Sequence, residues 1–351
     1  MLKNNYRLDI QGMRAIAVLL VFFAHANWPG FSGGFVGVDI FFVISGYVIT
    51  QLLFNEYQHK GSISLQRFYA RRLQRLFPLL LITIFVTSLL SYLVMIPLEQ
   101  LAQYGSAKSA VLWLSNLFFI NSNVDYFALS SKDNIYLHTW SLGVEEQFYL
   151  LWPLLILLSA RLLPKSWSKQ SALTVVIITV TLGSFLLLMH MTNKANNYAF
   201  YLMFTRAWQF GLGALILLLH NSKNKRHFYS QPNLAVESAS LVGVALLVFA
   251  TTMFNHHTAY PNWQVLLPTI GTALLLLPRY THGFTIGKLL ATKPLVYIGN
   301  ISYSFYLWHW VLLVFGMRMV KYFPFMNSAF ALFLTLVISI FTYHFIEIPF
   351  R

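Results

Sequence analysis

The chain has 351 residues, 57% of them hydrophobic and only 10% charged, with a mean hydropathy of +0.61. A soluble domain carries about a quarter charged residues, so this composition excludes a soluble globular fold, and its hydrophobicity excludes disorder. Basic residues outnumber acids 24 to 10, a formal charge of +14, and cysteine is absent, which excludes disulfides, Cys-ligated zinc, iron–sulfur clusters and an acyl-cysteine intermediate.

Apolar runs long enough to cross a bilayer, about 20 residues each, recur along the whole chain. They fall at 8–27, 35–54, 73–96, 138–159, 172–192, 200–219, 235–254, 263–278, 295–317 and 328–346, with a weaker run at 109–122. The prediction is an all-α, polytopic transmembrane bundle of about ten spans. Charge decides the status of 109–122. If it does not span, both termini share one side, whose loops hold 17 of the 24 basic residues. These include Lys3, Arg7, Lys60, Arg67, Arg161, Lys165, Lys169, Lys223, Lys225, Arg226, Arg279, Lys288, Lys293 and Arg351. The opposite side holds five, Lys108, Lys132, Lys194, Arg318 and Lys321, and Arg14 and Arg206 fall inside segments.

Letting 109–122 span would send three of the basic loops outside. The positive-inside rule therefore predicts cytoplasmic termini and an outer excursion over about 97–137, with 109–122 as a short outer-side or re-entrant segment. The same asymmetry reads the excess charge as topology, with no nucleic-acid partner. Leu8–Ala26 carries charges and lacks a small-residue cleavage site, so no cleavable signal peptide is expected. No repeat or linker interrupts the chain, which predicts a single integral-membrane domain over 1–351.

An ionisable residue inside a span costs several kcal/mol unless it is paired or faces a cavity. Arg14 and His25 lie 11 residues apart, about 20° from perfect alignment on a helix and roughly 16 Å along it. They share a face, as a functional stripe or as a snorkelling arginine and an interfacial histidine. Asp39, just after the Gly33, Gly34 and Gly37 turn, either orients the His25 imidazole or is a helix-start acid favoured by the dipole. Ser45 lies further along the same segment.

Arg71, Arg72 and Arg75 are either membrane anchors or a phosphate clamp, since Arg72 and Arg75 share a helix face and can fork onto phosphate oxygens. Glu145 and Glu146 are two of only ten acids, set side by side two turns into a span that opens at His138 on the outer side. They point about 100° apart, so one can face a cavity while the other pairs elsewhere, for instance with Arg206. His309 lies in an aromatic stretch, Tyr303–Trp310, readable as site or as interface belt. His256, His257 and His282 read as solvated loop residues. No HExxH-like spacing supports a metal site.

Arginines at one membrane face, with histidine and carboxylates toward the other, suit an anionic donor entering from the cytoplasm and a hydroxyl acceptor waiting outside. A small-anion or acyl-group transporter would use the same residue types.

Several motifs carry a resemblance. They are Tyr6–Ala15 with the Arg14-x10-His25 spacing, Gly33–Tyr47, Phe68–Arg72 with Arg75 and Pro78, Trp140–Leu150, Arg206-Ala207-Trp208, Tyr306–Trp310 and the closing Glu347–Arg351. In this order they resemble the bacterial acyltransferase family 3, the membrane-bound carbohydrate O-acyltransferases of the OafA/OatA type. Gln11, Gln209 and Val311 depart from the pattern, standing where an acid, a glutamate and a proline are usual.

The resemblance implies acetyl-CoA as donor substrate, no metal, and as acceptor an envelope glycan such as lipopolysaccharide O-antigen or a related polysaccharide. It implies residence in the bacterial cytoplasmic (inner) membrane. Arg14, Arg71, Arg72 and Arg75 would hold the donor, and His25 would be general base or transient acyl carrier. Asp39, Glu145 and Glu146 would tune it, with Ser45, Arg206 and His309 in support. Many members continue past this point into an SGNH esterase-like domain, so such a module, in trans or removed from this chain, is an expected partner.

Overall fold

The computed structural model describes residues 7–162, 168–221, 229, 233–278 and 285–350. Lys3, Tyr6, Lys165, Lys223, Lys225, Arg226, Arg279, His282 and Arg351 lie outside the described residues, as do the side chains of Arg161 and Lys169. The described residues form helices and no strand. A helix satisfies its own backbone polar groups, which a lipid environment demands.

In chain order the helices are α1 (Leu8–His25), α2 (Gly37–Lys60), α3 (Leu65–Val94), α4 (Pro97–Val111), α5 (Ser115–Asn121), α6 (Thr139–Leu162), α7 (Lys169–Thr192) and α8 (Asn196–Tyr201). They continue with α9 (Met203–Asn221), α10 (Leu234–Met253), α11 (Leu266–Leu276), α12 (Thr285–Leu290), α13 (Lys293–Asn300), α14 (Ser302–Met319) and α15 (Ser328–Thr342). Ends follow local chemistry. Ser64 accepts from Arg67 N–H to start α3, Asn233 from Val236 N–H to start α10, and Gly61 at φ 71° closes α2.

Eight helices among the described residues are long and apolar enough to cross a membrane. The other two predicted spans differ. Within 263–278 the α-helix is α11, only 11 residues. The 295–317 run is broken at Ile301 into α13 and α14, and Tyr303, Tyr306, Trp308, His309 and Trp310 dilute the hydropathy of α14. The weak 109–122 run is broken at Trp113, whose φ is 54°, and α5 has seven residues, about 10 Å of rise and too short to span. The polytopic helical bundle stands.

The chain divides into two compact units, which are described separately. The first comprises residues 1–63, 151–194 and 204–300. Its core joins Ile10, Met13 and Ala17 of α1, Ile40, Val43, Ile44 and Tyr47 of α2, Ile216 and Leu217 of α9, and Ala273, Leu275 and Leu276 of α11. Small residues set the crossings. A Cβ on Gly46 would sit 1.9 Å from the Phe210 carbonyl oxygen, and one on Gly213 would sit 2.0 Å from that of Val43. Only backbone-to-backbone approach of α2 and α9 is compatible with those distances. Gly46→Ala is accordingly expected to lower stability by at least about 1–3 kcal/mol, the cost of overpacking. Thermal unfolding in detergent checks this, and an unchanged midpoint would show that the two helices separate freely.

The second unit comprises residues 64–150, 195–203 and 301–351. There α14 packs on α15 and α3, α4 on α3 and α5, and α5 on α8. Phe68, Leu79, Phe119, Val144, Phe148, Leu307 and Val311 are buried in it.

Candidate active site

In the first unit the polar centre is Asp39, in the first turn of α2 and 2% exposed. Gly34 and Gly37 put it there, because a Cβ on either would lie 2.2–2.3 Å from a carbonyl oxygen of α1, Leu20 or Ala17. The α2 start is thereby pressed onto α1 just below His25. Asp39 Oδ1 accepts from Arg206 Nη1 at 3.2 Å and from Gln209 Nε2 at 2.7 Å, and Oδ2 from the Tyr260 hydroxyl at 2.5 Å. Gln209 Nε2 also donates to Thr269 Oγ1 at 3.0 Å. Burial, followed by the Asp39 charge, holds the Tyr260 hydroxyl well above the usual phenol range, so it remains a donor.

Within this unit Arg206 pairs with Asp39. Asp39 spends its hydrogen bonds on Arg206, Gln209 and Tyr260, and among the described residues makes none to His25. Gln209, the departure from the family's usual glutamate, supplies an N–H to the carboxylate where an acid would add a second negative charge.

His25 ends α1 and is half-buried, beside a turn in which Phe23 meets Trp28 and Phe31 at 5.2 and 4.9 Å between ring centroids. Arg14, also half-buried, donates to Gln11 Oε1 at 3.2 Å, so Gln11, another of the three departures from the family pattern, meets it with a neutral oxygen. Ser45 is buried on α2. The same unit carries a polar chain that the sequence did not single out. Arg7 pairs with Asp9 and reaches the Tyr47 hydroxyl at 3.3 Å, and that hydroxyl lies 3.1 Å from His220 Nδ1.

In the second unit the centre is Arg72. Its guanidinium lies 3.5 Å over the Tyr149 ring, a cation–π contact, and 3.8 Å from Glu146 Oε1. Its Nε is buried without a hydrogen-bond partner among the described residues. Tyr149, four residues after Glu145, donates to that carboxylate. Arg75 is half-buried one turn beyond Arg72, and Arg71 is exposed. The sequence reading put arginines and acids at opposite faces, whereas the structure brings Arg72 and Glu146 to one level. The cause is charge compensation, since neither ion is stable in the helix interface alone. Tyr149 was legible as the i+4 neighbour of Glu145 and was missed.

His309 is fully buried, and its Nδ1 donates to the Tyr306 carbonyl at 2.5 Å, which leaves Nε2 as the acceptor nitrogen. Its ring lies 5.7 Å from that of His138. The Tyr306 hydroxyl bridges Ser141 Oγ at 2.6 Å and the His138 carbonyl at 3.0 Å. Tyr303, Tyr306, Trp308 and Trp310 are all buried, so this stretch is interior and no interface belt. Among the described residues no cluster of His, Asp and Glu is placed to hold a metal ion.

The Arg72 guanidinium is thus stacked on an aromatic ring, loosely paired, and keeps a buried Nε–H without an acceptor among the described residues. Arg72→Ala is expected to raise the KM for a phosphorylated donor about tenfold while leaving kcat within about threefold, since ground-state and transition-state binding fall together. Donor titration of purified variants checks it, and an unchanged KM would leave Arg72 a structural partner of Glu146.

The model of a family described as acyltransferase domain matches residues 7–344. O-acetyltransferase OatA of Staphylococcus aureus (strain NCTC 8325 / PS 47) is 31% identical over 358 aligned positions, covering all of this chain and 58% of that protein. The putative peptidoglycan O-acetyltransferase YrhL of Bacillus subtilis (strain 168) is 28% identical, covering 99% of this chain and 55% of its own length. The chain thus spans somewhat over half the length of these relatives. No solved structure matches it.

Proposed function

The chain belongs to the acyltransferase domain family, and on that premise we propose that it transfers acetyl from cytoplasmic acetyl-CoA to a hydroxyl of an extracytoplasmic envelope glycan. Its setting is the bacterial cytoplasmic membrane, with both termini inside and 1–351 acting as one integral-membrane domain. The observation that carries the reading is Arg72, a buried-edge guanidinium stacked on Tyr149 with a donor to spare. It suits the phosphates of a coenzyme A, together with Arg75 and, at the exposed rim, Arg71.

Arg14 guides the donor along α1, and the roughly 16 Å from Arg14 to His25 is a distance an extended pantetheine arm covers. His25 takes the proton of the acceptor hydroxyl, whose oxygen attacks the thioester carbonyl. The C–S bond breaks, and the CoA thiolate leaves and takes up the proton. In the stepwise variant the imidazole itself receives the acetyl group first. Asp39, through Arg206, Gln209 and Tyr260, keeps the start of α2 fixed below His25. Glu146 holds Arg72, Glu145 holds Tyr149, and Ser45 and His309 line the supporting interior.

A relative named as a putative peptidoglycan O-acetyltransferase favours peptidoglycan among the candidate glycans, with O-antigen as the other arm. The test uses protein in liposomes with labelled acetyl-CoA, first without acceptor and then with each glycan. CoA release that tracks glycan esterification is expected. Label crossing the bilayer without any ester would replace this reading by transport.

A further inference from the structure

The aromatic stretch that opens α14 has no part in the chemistry above. Its first ring, Tyr303, is buried, and its hydroxyl donates to the Leu76 carbonyl of α3 at 2.7 Å. Leu76 directly follows Arg75, so this bond crosses from α14 to the turn that carries one arginine of the donor site. A second tie lies about two turns back, where the Tyr69 hydroxyl donates to the Leu150 carbonyl of α6 at 2.8 Å. Residues 69, 72 and 76 are spaced three and four apart and share one face of α3. Arg72 therefore lies between the two ties, and Arg75 beside the one made by Tyr303.

Pro78 weakens the turn at Arg75. It sits inside α3 and has no N–H for the Gln74 carbonyl, so one helical hydrogen bond is missing across Arg75, Leu76 and Phe77. A softened turn swings a long side chain through a wide arc, whereas two arginines fork onto phosphate oxygens only at a fixed spacing. Tyr303 holds that turn from outside the helix. Its bond is buried, so water does not replace it, while the Tyr69 bond is exposed.

Tyr303 is itself fixed in place. Ser304, the next residue, is fully buried and donates from Oγ to Glu347 Oε2 at 2.9 Å. Glu347 closes a π-turn, Tyr343–Glu347, in which the Ile348 N–H reaches back to the Tyr343 carbonyl at 2.9 Å. The extra residue of that turn faces Glu347 inward, 1% exposed, although Phe345 and Ile348 on either side are 67% and 43% exposed. The turn packs on α3. The Tyr303 hydroxyl lies within electrostatic reach of Glu145, Glu146, Glu347 and Arg75. Being neutral, it ties the helix without adding a charge that would compete with a phosphate for the arginines.

We propose that Tyr303 is a positioning residue of the donor site, whose hydroxyl on the Leu76 carbonyl fixes the Arg75 turn so that Arg72 and Arg75 meet the donor phosphates together. The inference rests on the reading of these arginines as the coenzyme A site.

Tyr303→Phe removes the hydroxyl and keeps the ring. It is compared with wild type in detergent, alone and in an Arg75→Ala background. Calorimetry reads the Kd of coenzyme A itself, and turnover with an N-acetylglucosamine–N-acetylmuramic acid tetrasaccharide reads KM and kcat for acetyl-CoA. Tyr303→Phe is expected to weaken coenzyme A binding about fivefold and to raise the acetyl-CoA KM to match, with kcat within about twofold. In the Arg75→Ala background the same change is expected to alter the Kd by less than about twofold, because the hydroxyl then has no arginine to place. An equal effect in both backgrounds would mark a structural tyrosine and overturn the proposal. A Kd and KM at wild-type levels in Tyr303→Phe would also overturn it, with the coenzyme A site left standing. The expected pattern of binding without any acetyl transfer would uphold the role of Tyr303 and overturn acyl transfer. No coenzyme A binding by wild type would overturn the donor site and the positioning role together.

Discussion

Asp39→Ala is expected to lower the stability of the protein by about 3–5 kcal/mol, the cost of removing one partner of a buried ion pair. Arg206 is 1% exposed and Asp39 2%, so neither water nor lipid headgroup reaches the stranded guanidinium. Gln209 also loses one of its two acceptors, keeping Thr269, and Tyr260 loses the carboxylate it donates to. The paired replacement Asp39→Leu with Arg206→Met removes both charges at once and should recover much of that loss, because an apolar pair of similar volume costs no ion desolvation. Unfolding in detergent, followed by temperature and by denaturant, reads both variants. An Asp39→Ala midpoint equal to wild type would mean that Arg206 escapes to solvent, and the description of this centre as closed would fall.

The centre also shows how far the sequence could be read. Apolar runs and basic loops located eight membrane-length helices, because burial in lipid imposes one constraint on every residue of a span. The same rule overextended 263–278 and 295–317, where the helix is short or broken and aromatic side chains take the place of aliphatic ones. Site residues were legible as types and not as partners. Arg206 was marked as a charge needing an acid, yet the acid is Asp39, 167 positions away, reached because Gly46 and Gly213 let α2 and α9 touch. Tyr260 left no signal at all. It sits in a loop, and nothing in its neighbourhood announces a hydroxyl aimed at a buried carboxylate. Glu146 and Arg72 were each found but assigned to opposite faces, since span length alone does not set the depth at which two helices meet.

His25→Ala is expected to reduce acceptor acetylation by about 10² to 10⁴-fold, the range supplied by a positioned general base, or below detection if the imidazole carries the acyl group. Stability should change little, because His25 is half-buried at a helix end and outside the Asp39 centre. The acetyl-CoA KM should also hold, since the arginines that bind the phosphates are untouched. This combination separates a chemical role from a structural one. A fall in kcat with an unchanged unfolding midpoint and donor KM places the defect in the reacting step. Turnover close to wild type would remove His25 from the chemistry. The route is then read from the protein itself: after a quench without glycan, label retained by wild type and lost in His25→Ala marks the stepwise path through the imidazole. Label absent from both, with CoA released only once glycan is added, marks direct attack by the sugar hydroxyl with His25 as base.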